Sequence, residues 1–273
     1  MIKEMAYAKI NLALDVVKKR DDGYHELQMI MIPIELHDIL TFKQSDKISL
    51  SSNIEIENNS ILKTVELMKS KFNLNKGVQI TLHKNIPIGA GLGGGSADIA
   101  ATLRGLNKLW SLNQSLDELA EIALELGSDT KFCIYNKPAY VYGRGENLLF
   151  LNPTQINNIY LFPSNIQAST KNVFKNHQLR YKKRKFERLM RAYLNENHEK
   201  LKRLSYNALL KTTLKTYPEL KYKYKMLNKN ISNVKMTGSG STFYILSFNE
   251  NNKTIDEKIV KLGIDNIKTK PKN

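Results

Sequence analysis

The sequence predicts a mixed strand-and-helix fold in two domains, and three observations carry that prediction. Segments of alternating apolar and polar residues share the chain with segments of helical spacing. A glycine-rich run sits between a segment of each kind. The charge changes sign along the chain: residues 1–155 carry a net −1, and residues 156–273 a net +17. Such asymmetry suggests domains at 1–153 and 154–273 and an anionic partner for the second.

The elements follow in order. Ala6 to Val16 alternates, placing Ala8, Ile10, Leu12, Leu14 and Val16 on one face and Lys9, Asn11 and Asp15 on the other. Ile39–Phe42 and Ile48–Leu50 read as short strands, Ile61–Phe72 as a helix, and Val78–Leu82 as a strand leading into the glycines. Ile99, Leu103, Leu106 and Trp110 recur at helical spacing. Ser115 and Glu118 form a capping box for the next helix, with Gly127 as its C-cap. A strand pair is expected at Phe132–Ile134 and Ala139–Tyr142. Beyond it come a strand at Ile159–Phe162, helices at Phe186–Leu194, Leu201–Leu214 and Leu220–Asn228, a strand at Phe243–Phe248 and a helix at Asp256–Leu262.

Composition bounds the class. With 41% apolar and 25% charged residues, the 273-residue chain has the profile of a soluble globular protein. Cys133 is the single cysteine, so neither an intrachain disulfide nor a cysteine metal site is expected. Met1 leads directly into a strand pattern, and the longest apolar run, Met29–Ile34, is too short to span a bilayer. A cytoplasmic protein without a membrane partner is the expectation. The basic cluster Arg180–Lys185, continued by Arg188 and Arg191, is either a solvated helix face or a surface for an anion. Nucleic acid is disfavoured, because no run of aromatics suggests a base-stacking platform.

Gly89-Ala90-Gly91-Leu92-Gly93-Gly94-Gly95-Ser96 holds five of the fourteen glycines. Backbone N–H groups without flanking Cβ atoms can crowd around an anion, and a helix N-terminus adds partial positive charge. No second strand ending in an acid follows, as a dinucleotide fold requires, and no lysine follows as in a Walker loop. A phosphate cradle of backbone amides and a helix end remains. Ser96 could cap that helix, or help hold a phosphate or Mg²⁺. Asp129 could cap the turn after Gly127-Ser128, and Thr237–Thr242 is a second glycine loop, either a tight turn or a clamp.

The ordered set Ala8-Lys9-Ile10-Asn11-Leu12, Arg20 to Leu27, Pro87 to Asp98, Leu126-Gly127-Ser128-Asp129, Gly143-Arg144-Gly145-Glu146 and Thr237-Gly238-Ser239-Gly240 resembles the GHMP kinases, in particular their branch acting on a CDP-linked polyol in non-mevalonate isoprenoid synthesis. The resemblance implies two α+β domains with the active site in the cleft between them. It implies ATP with Mg²⁺ as cofactors and phosphorylation of a hydroxyl on the methylerythritol part of the small-molecule substrate. Asp129 would take the hydroxyl proton, and Lys9 would hold that carboxylate and counter charge on the phosphoryl group. Pro87, Ile88, Gly89, Ala90, Gly91, Leu92, Gly93, Gly94, Gly95, Ser96 and Ala97 would wrap the phosphates. Tyr24 and His25 would contact the cytosine, with Phe174 stacking. Asn11 and Thr170 would bind polar groups of the substrate, and Gly238, Ser239 and Gly240 would close the site. Two other readings stay open: a GHMP kinase with another acceptor, and a retired fold binding RNA. Departures from the branch are Met29, Ile32, Thr130-Lys131-Phe132 after Asp129, and Leu210.

Overall fold

The computed structural model describes residues 1–56, 59–179, 183–249 and 252–272; Arg180, Tyr181 and Lys182 of the basic cluster lie outside them. In chain order the elements are β1 (Ile2–Lys19), β2 (His25–Ser45), β3 (Ile48–Ser52), α1 (Ser60–Lys71), β4 (Gly77–His83), α2 (Gly94–Leu109), α3 (Leu116–Leu124), α4 (Thr130–Tyr135), β5 (Ala139–Gly143) and β6 (Asn147–Phe150). They continue with β7 (Asn158–Phe162), α5 (Thr170–Lys175), α6 (Lys183–Leu194), α7 (His198–Leu204), β8 (Tyr206–Asn207), α8 (Leu210–Thr216), α9 (Pro218–Asn230), β9 (Lys235–Met236), β10 (Phe243–Ser247), α10 (Lys253–Leu262) and β11 (Ile267–Thr269).

One sheet has the order β3-β4-β2-β1-β8, with β5 pairing to β2 and β6 to β5; the other has the order β11-β7-β10-β9. The chain packs as two compact units that are discontinuous in sequence. The first is Met1–Ala8, Leu36–Pro87 and Gly93–Asn136; the second is Lys9–Glu35, Ile88–Leu92 and Lys137–Asn273. This division differs from a single cut at residue 153, because β1 and β2 each contribute residues to both units.

In the first unit, β2 runs antiparallel to β4, with Ile39 opposite His83 and Ser45 opposite Gly77, and β3 runs parallel to β4. Phe42, Ile80 and Leu82 are buried together with Leu103 and Leu106 of α2. Gly105 lets α2 lie close on the sheet, since a Cβ there would come 2.4 Å from the Phe42 ring. The capping box at the start of α3 forms, with Ser115 Oγ accepting from Glu118 N.

In the second unit, β2 pairs antiparallel with β5, and β1 pairs parallel with β8. Strands β7 and β10 pair antiparallel, and every residue of both is buried. Tyr244 of β10 donates from its hydroxyl to Asn11 O at 2.8 Å.

Four sequence expectations are corrected. Phe132–Ile134 is helix α4 rather than a strand; a short apolar run carries no period of its own, and the helix satisfies its amides locally. The expected helix Leu201–Leu214 divides into α7, β8 and α8, because Tyr206 and Asn207 pair with β1. Gly127 is not the αL cap of α3, which ends at Glu125 in right-handed geometry. Ser96 does not cap α2; the N-cap is Gly93 at φ 73°, placing Ser96 inside the first turn.

Candidate active site

The second unit builds its polar cluster on β1. Lys9, Asn11 and Asp15 alternate along a strand buried on both faces, at 3%, 0% and 1% exposure. A buried ammonium is costly unless hydrogen-bonded. Lys9 Nζ donates to Asn11 Oδ1 at 2.9 Å. The same oxygen accepts from Gly238 N at 3.0 Å and lies 3.2 Å from Thr237 Oγ1, while Asn11 N donates to Thr237 Oγ1. Asn11 Nδ2 faces Met29 Sδ at 3.4 Å. Asn11 thus joins the lysine to the C-terminal glycine loop.

That loop is held from several sides. Asn207 Nδ2 donates to Met236 O and Gly238 O, Thr213 Oγ1 donates to Ser239 O, and Thr170 Oγ1 lies 2.9 Å from Ser239 Oγ. Gly238 packs so closely on Gly91 that a Cβ would meet Gly91 O at 2.7 Å; a Cβ on Gly91 would meet Thr237 O at 2.5 Å. Only glycines permit this approach of two backbones.

The glycine-rich loop Gly89–Ser96 is held through its carbonyls. Ala90 O accepts from Thr242 N, Gly91 O from Thr237 Oγ1, Leu92 O from Lys9 N, and Gly93 O from Ala97 N. Four successive carbonyls are therefore taken up by protein donors. Positive φ at Gly89, Gly91 and Gly93 alternates with ordinary φ at Ala90 and Leu92, the pattern of an anion-binding nest. Ile88 and Gly89 form a turn, and no N–H from Gly91 to Ser96 donates to a backbone carbonyl among the described residues. Gly95, exposed in the first turn of α2, has ordinary φ, and a Cβ there would have nothing within 4 Å. Its missing side chain serves no packing need of the protein, which fits a phosphate group approaching from outside.

Around the proposed base-binding residues, the rings of His25 and Phe174 lie 5.2 Å apart at 34°. Burial, then Lys19, holds the His25 imidazole below its usual range. Tyr24 follows the Gly23 turn at 54% exposure, with the Arg144 guanidinium 5.0 Å over its ring.

In the first unit, Asp129 stands at the N-cap position of α4 without a side-chain capping bond. Lys131 is paired with Glu121 at 2.7 Å, which directs its charge toward that carboxylate. A buried cluster of Lys84, Asp38 and Asp98 was not anticipated. Lys84 Nζ donates to Asp38 Oδ2 at 2.5 Å and Asp98 Oδ2 at 2.6 Å. Burial pushes the Asp98 carboxyl up to about 7 against the pull of Lys84, and the Asp38 charge adds to the rise. The one available signal was a lone acid among the alanines and isoleucine that open α2.

No three His, Cys, Asp or Glu side chains among the described residues form a metal-binding group. Among the described residues, no helix is long and apolar enough to cross a membrane.

A glycine-rich loop with engaged carbonyls precedes helix α2, and β1 carries a buried lysine. Residues 59–144 match the family described as GHMP kinases N terminal domain. The chain is 41% identical over 258 residues to a Staphylococcus epidermidis protein provisionally named 4-diphosphocytidyl-2-C-methyl-D-erythritol kinase, covering 92% of each. The chain belongs to the GHMP kinases and is an ATP-dependent kinase. A crystal structure of 4-(cytidine 5'-diphospho)-2C-methyl-D-erythritol kinase matches with a TM-score of 0.79 at 26% identity, covering 100% of both chains. The Methanococcus jannaschii mevalonate kinase shares the fold, with a TM-score of 0.77 at 16% identity, over 100% of this chain and 98% of that one.

Proposed function

We propose that this chain transfers the terminal phosphoryl group of ATP to a hydroxyl of the methylerythritol moiety of 4-diphosphocytidyl-2-C-methyl-D-erythritol, as a cytoplasmic step of isoprenoid precursor synthesis. The observation that carries the phosphoryl-transfer half is the loop at Gly89–Ser96, whose carbonyls are engaged by protein while its amides from Gly91 to Ser96 stay available. The acceptor half draws on the names of the relatives and on the His25–Phe174 ring pair beside Tyr24, a surface suited to a flat base.

In the proposed reaction, Asp129 accepts the proton of the attacking hydroxyl. The hydroxyl oxygen bonds to the γ-phosphorus, the bond to the β–γ bridging oxygen breaks, and ADP leaves. Phosphoryl transfer asks the protein for position and charge stabilisation rather than covalent chemistry. Lys9, oriented by Asn11, supplies a cation for the transferring group. Thr170 and Ser239, joined through their hydroxyls, offer polar contacts to the substrate, and Gly238 and Gly240 shape the clamp by backbone. Mg²⁺ would enter with ATP and neutralise phosphate charge. The Ser96 hydroxyl in the first turn of α2 is its candidate protein ligand, in keeping with the few protein contacts such ions use.

The test is ADP release with the CDP-linked methylerythritol substrate, against a no-acceptor control and an acceptor panel including homoserine, mevalonate and free methylerythritol. Acceptor-dependent turnover confined to the cytidine-bearing substrate is expected. Faster turnover of another panel member would overturn the acceptor assignment, and no turnover with any of them would overturn the kinase mechanism drawn here.

A further inference from the structure

The first unit contains a clasp across the ends of the phosphate loop. The loop enters after β4 through Lys84, Asn85 and Ile86, and it leaves into α2, where Asp98 lies just beyond the first turn. Asp38 of β2 holds the entry: its Oδ1 accepts from Asn85 N at 2.6 Å and Ile86 N at 2.8 Å, and its Oδ2 accepts from Lys84 Nζ. Lys84 then reaches the exit through Asp98 Oδ2 at 2.6 Å. The three side chains are 5%, 0% and 5% exposed. A Cβ on Gly94 would lie 3.1 Å from Lys84 Nζ, so the ammonium sits directly against the helix start. The second oxygen of Asp98 is buried and has no hydrogen-bond partner.

Removing three ionisable side chains from water is expensive, and an apolar cluster of similar volume would serve stability as well or better. The lysine is also not a spare phosphate cation, because two carboxylates already share its charge. The cluster ties the loop's two ends to one another through Lys84 Nζ.

We propose that Lys84, Asp38 and Asp98 are positioning residues for ATP, clasping the entry and exit of the phosphate loop so that its N–H groups keep the spacing that triphosphate binding needs. This rests on the loop being the ATP site.

The test is calorimetric titration of a non-hydrolysable ATP analogue into the full chain, alongside steady-state kinetics. Asp98→Asn keeps an oxygen for Lys84 but removes the charge. Its analogue affinity and ATP KM are expected to weaken on the order of tenfold, the scale of one charge-assisted hydrogen bond. The KM for the acceptor, and kcat at saturating ATP, are expected to stay within about twofold in this variant, well below that scale. Lys84→Met is expected to lose more, and Asp98→Asn keeps the proposal testable if that variant does not fold. Glu4→Gln is the control: it weakens the pairs to Arg104 and Lys108 in the same unit without touching the loop. Its stability should fall while its nucleotide affinity holds. Unchanged affinity in folded Asp98→Asn, or equal weakening of the ATP and acceptor constants, would overturn the clasp. A wild-type chain that binds no analogue would instead overturn the assignment of the loop.

Discussion

Lys9 and Lys235 show two consequences of placing a lysine inside a protein. Lys9 is 3% exposed on a central strand, where its ammonium donates to Asn11 Oδ1 at 2.9 Å. Lys9→Ala and Asp129→Asn are each predicted to lower kcat by about 10²-fold or more, with native circular dichroism. Near-normal turnover in either would remove its assigned role. Lys235 of β9 has its pKa lowered to about 8 by burial and by Lys185, and it donates to Arg203 O. The unfolded lysine titrates near 10.4, so between about 8 and 10.4 the unfolded chain binds more protons than the folded one. Stability should therefore rise with pH across that window. Lys235→Met should remove this component of the rise in urea-unfolding midpoints, and an unchanged pH profile would count against it.

At the scale of elements, the two glycine loops separate packing from binding. Gly91 is required by the fold, with φ at +75° and a Cβ that would collide with Thr237 O at 2.5 Å. Gly91→Ala should destabilise the chain by about 1–3 kcal/mol through strain and overpacking. Gly95 is under no such constraint, and alanine there gains up to about 1 kcal/mol in helix propensity. We predict that Gly95→Ala melts at or above the wild-type temperature yet binds ATP more weakly, because its methyl enters the space left for phosphate. Normal nucleotide affinity in Gly95→Ala would show that no phosphate approaches that residue. The capping box at Ser115 and the pairing of Tyr206 with Ala13 show the same contrast in folding terms. The first is a local pattern readable from four residues; the second needs a strand 193 positions away and interrupts what reads as one helix.

At the scale of the whole chain, the net charge of +16 is concentrated after residue 155, and both proposed substrates are polyanions. Fields of this size steer anionic ligands and weaken as ionic strength rises. Across a salt titration, kcat/KM for ATP and for the CDP-linked substrate is predicted to fall together while kcat stays constant; a salt-insensitive kcat/KM would leave the basic half without a role in capture. Most of the elements, the glycine-rich loop and the helix after it were legible in the sequence because they rest on local rules: alternation, helical spacing, capping and the freedom of glycine. The same rules misread Phe132–Ile134 and Leu201–Leu214, where apolar content is clear but pairing partners decide the conformation. They also could not disclose that β1 is buried on both faces, that Thr237 and Asn207 hold the second glycine loop against Gly91, or that Lys84 lies between two aspartates. The sequence by itself determined which short segments could cradle a phosphate. Which donors silence that cradle's carbonyls, and which charges meet in the dark beneath it, was decided only in three dimensions, because hydrogen bonds and ion pairs between distant residues depend on spatial proximity, which local pattern does not encode.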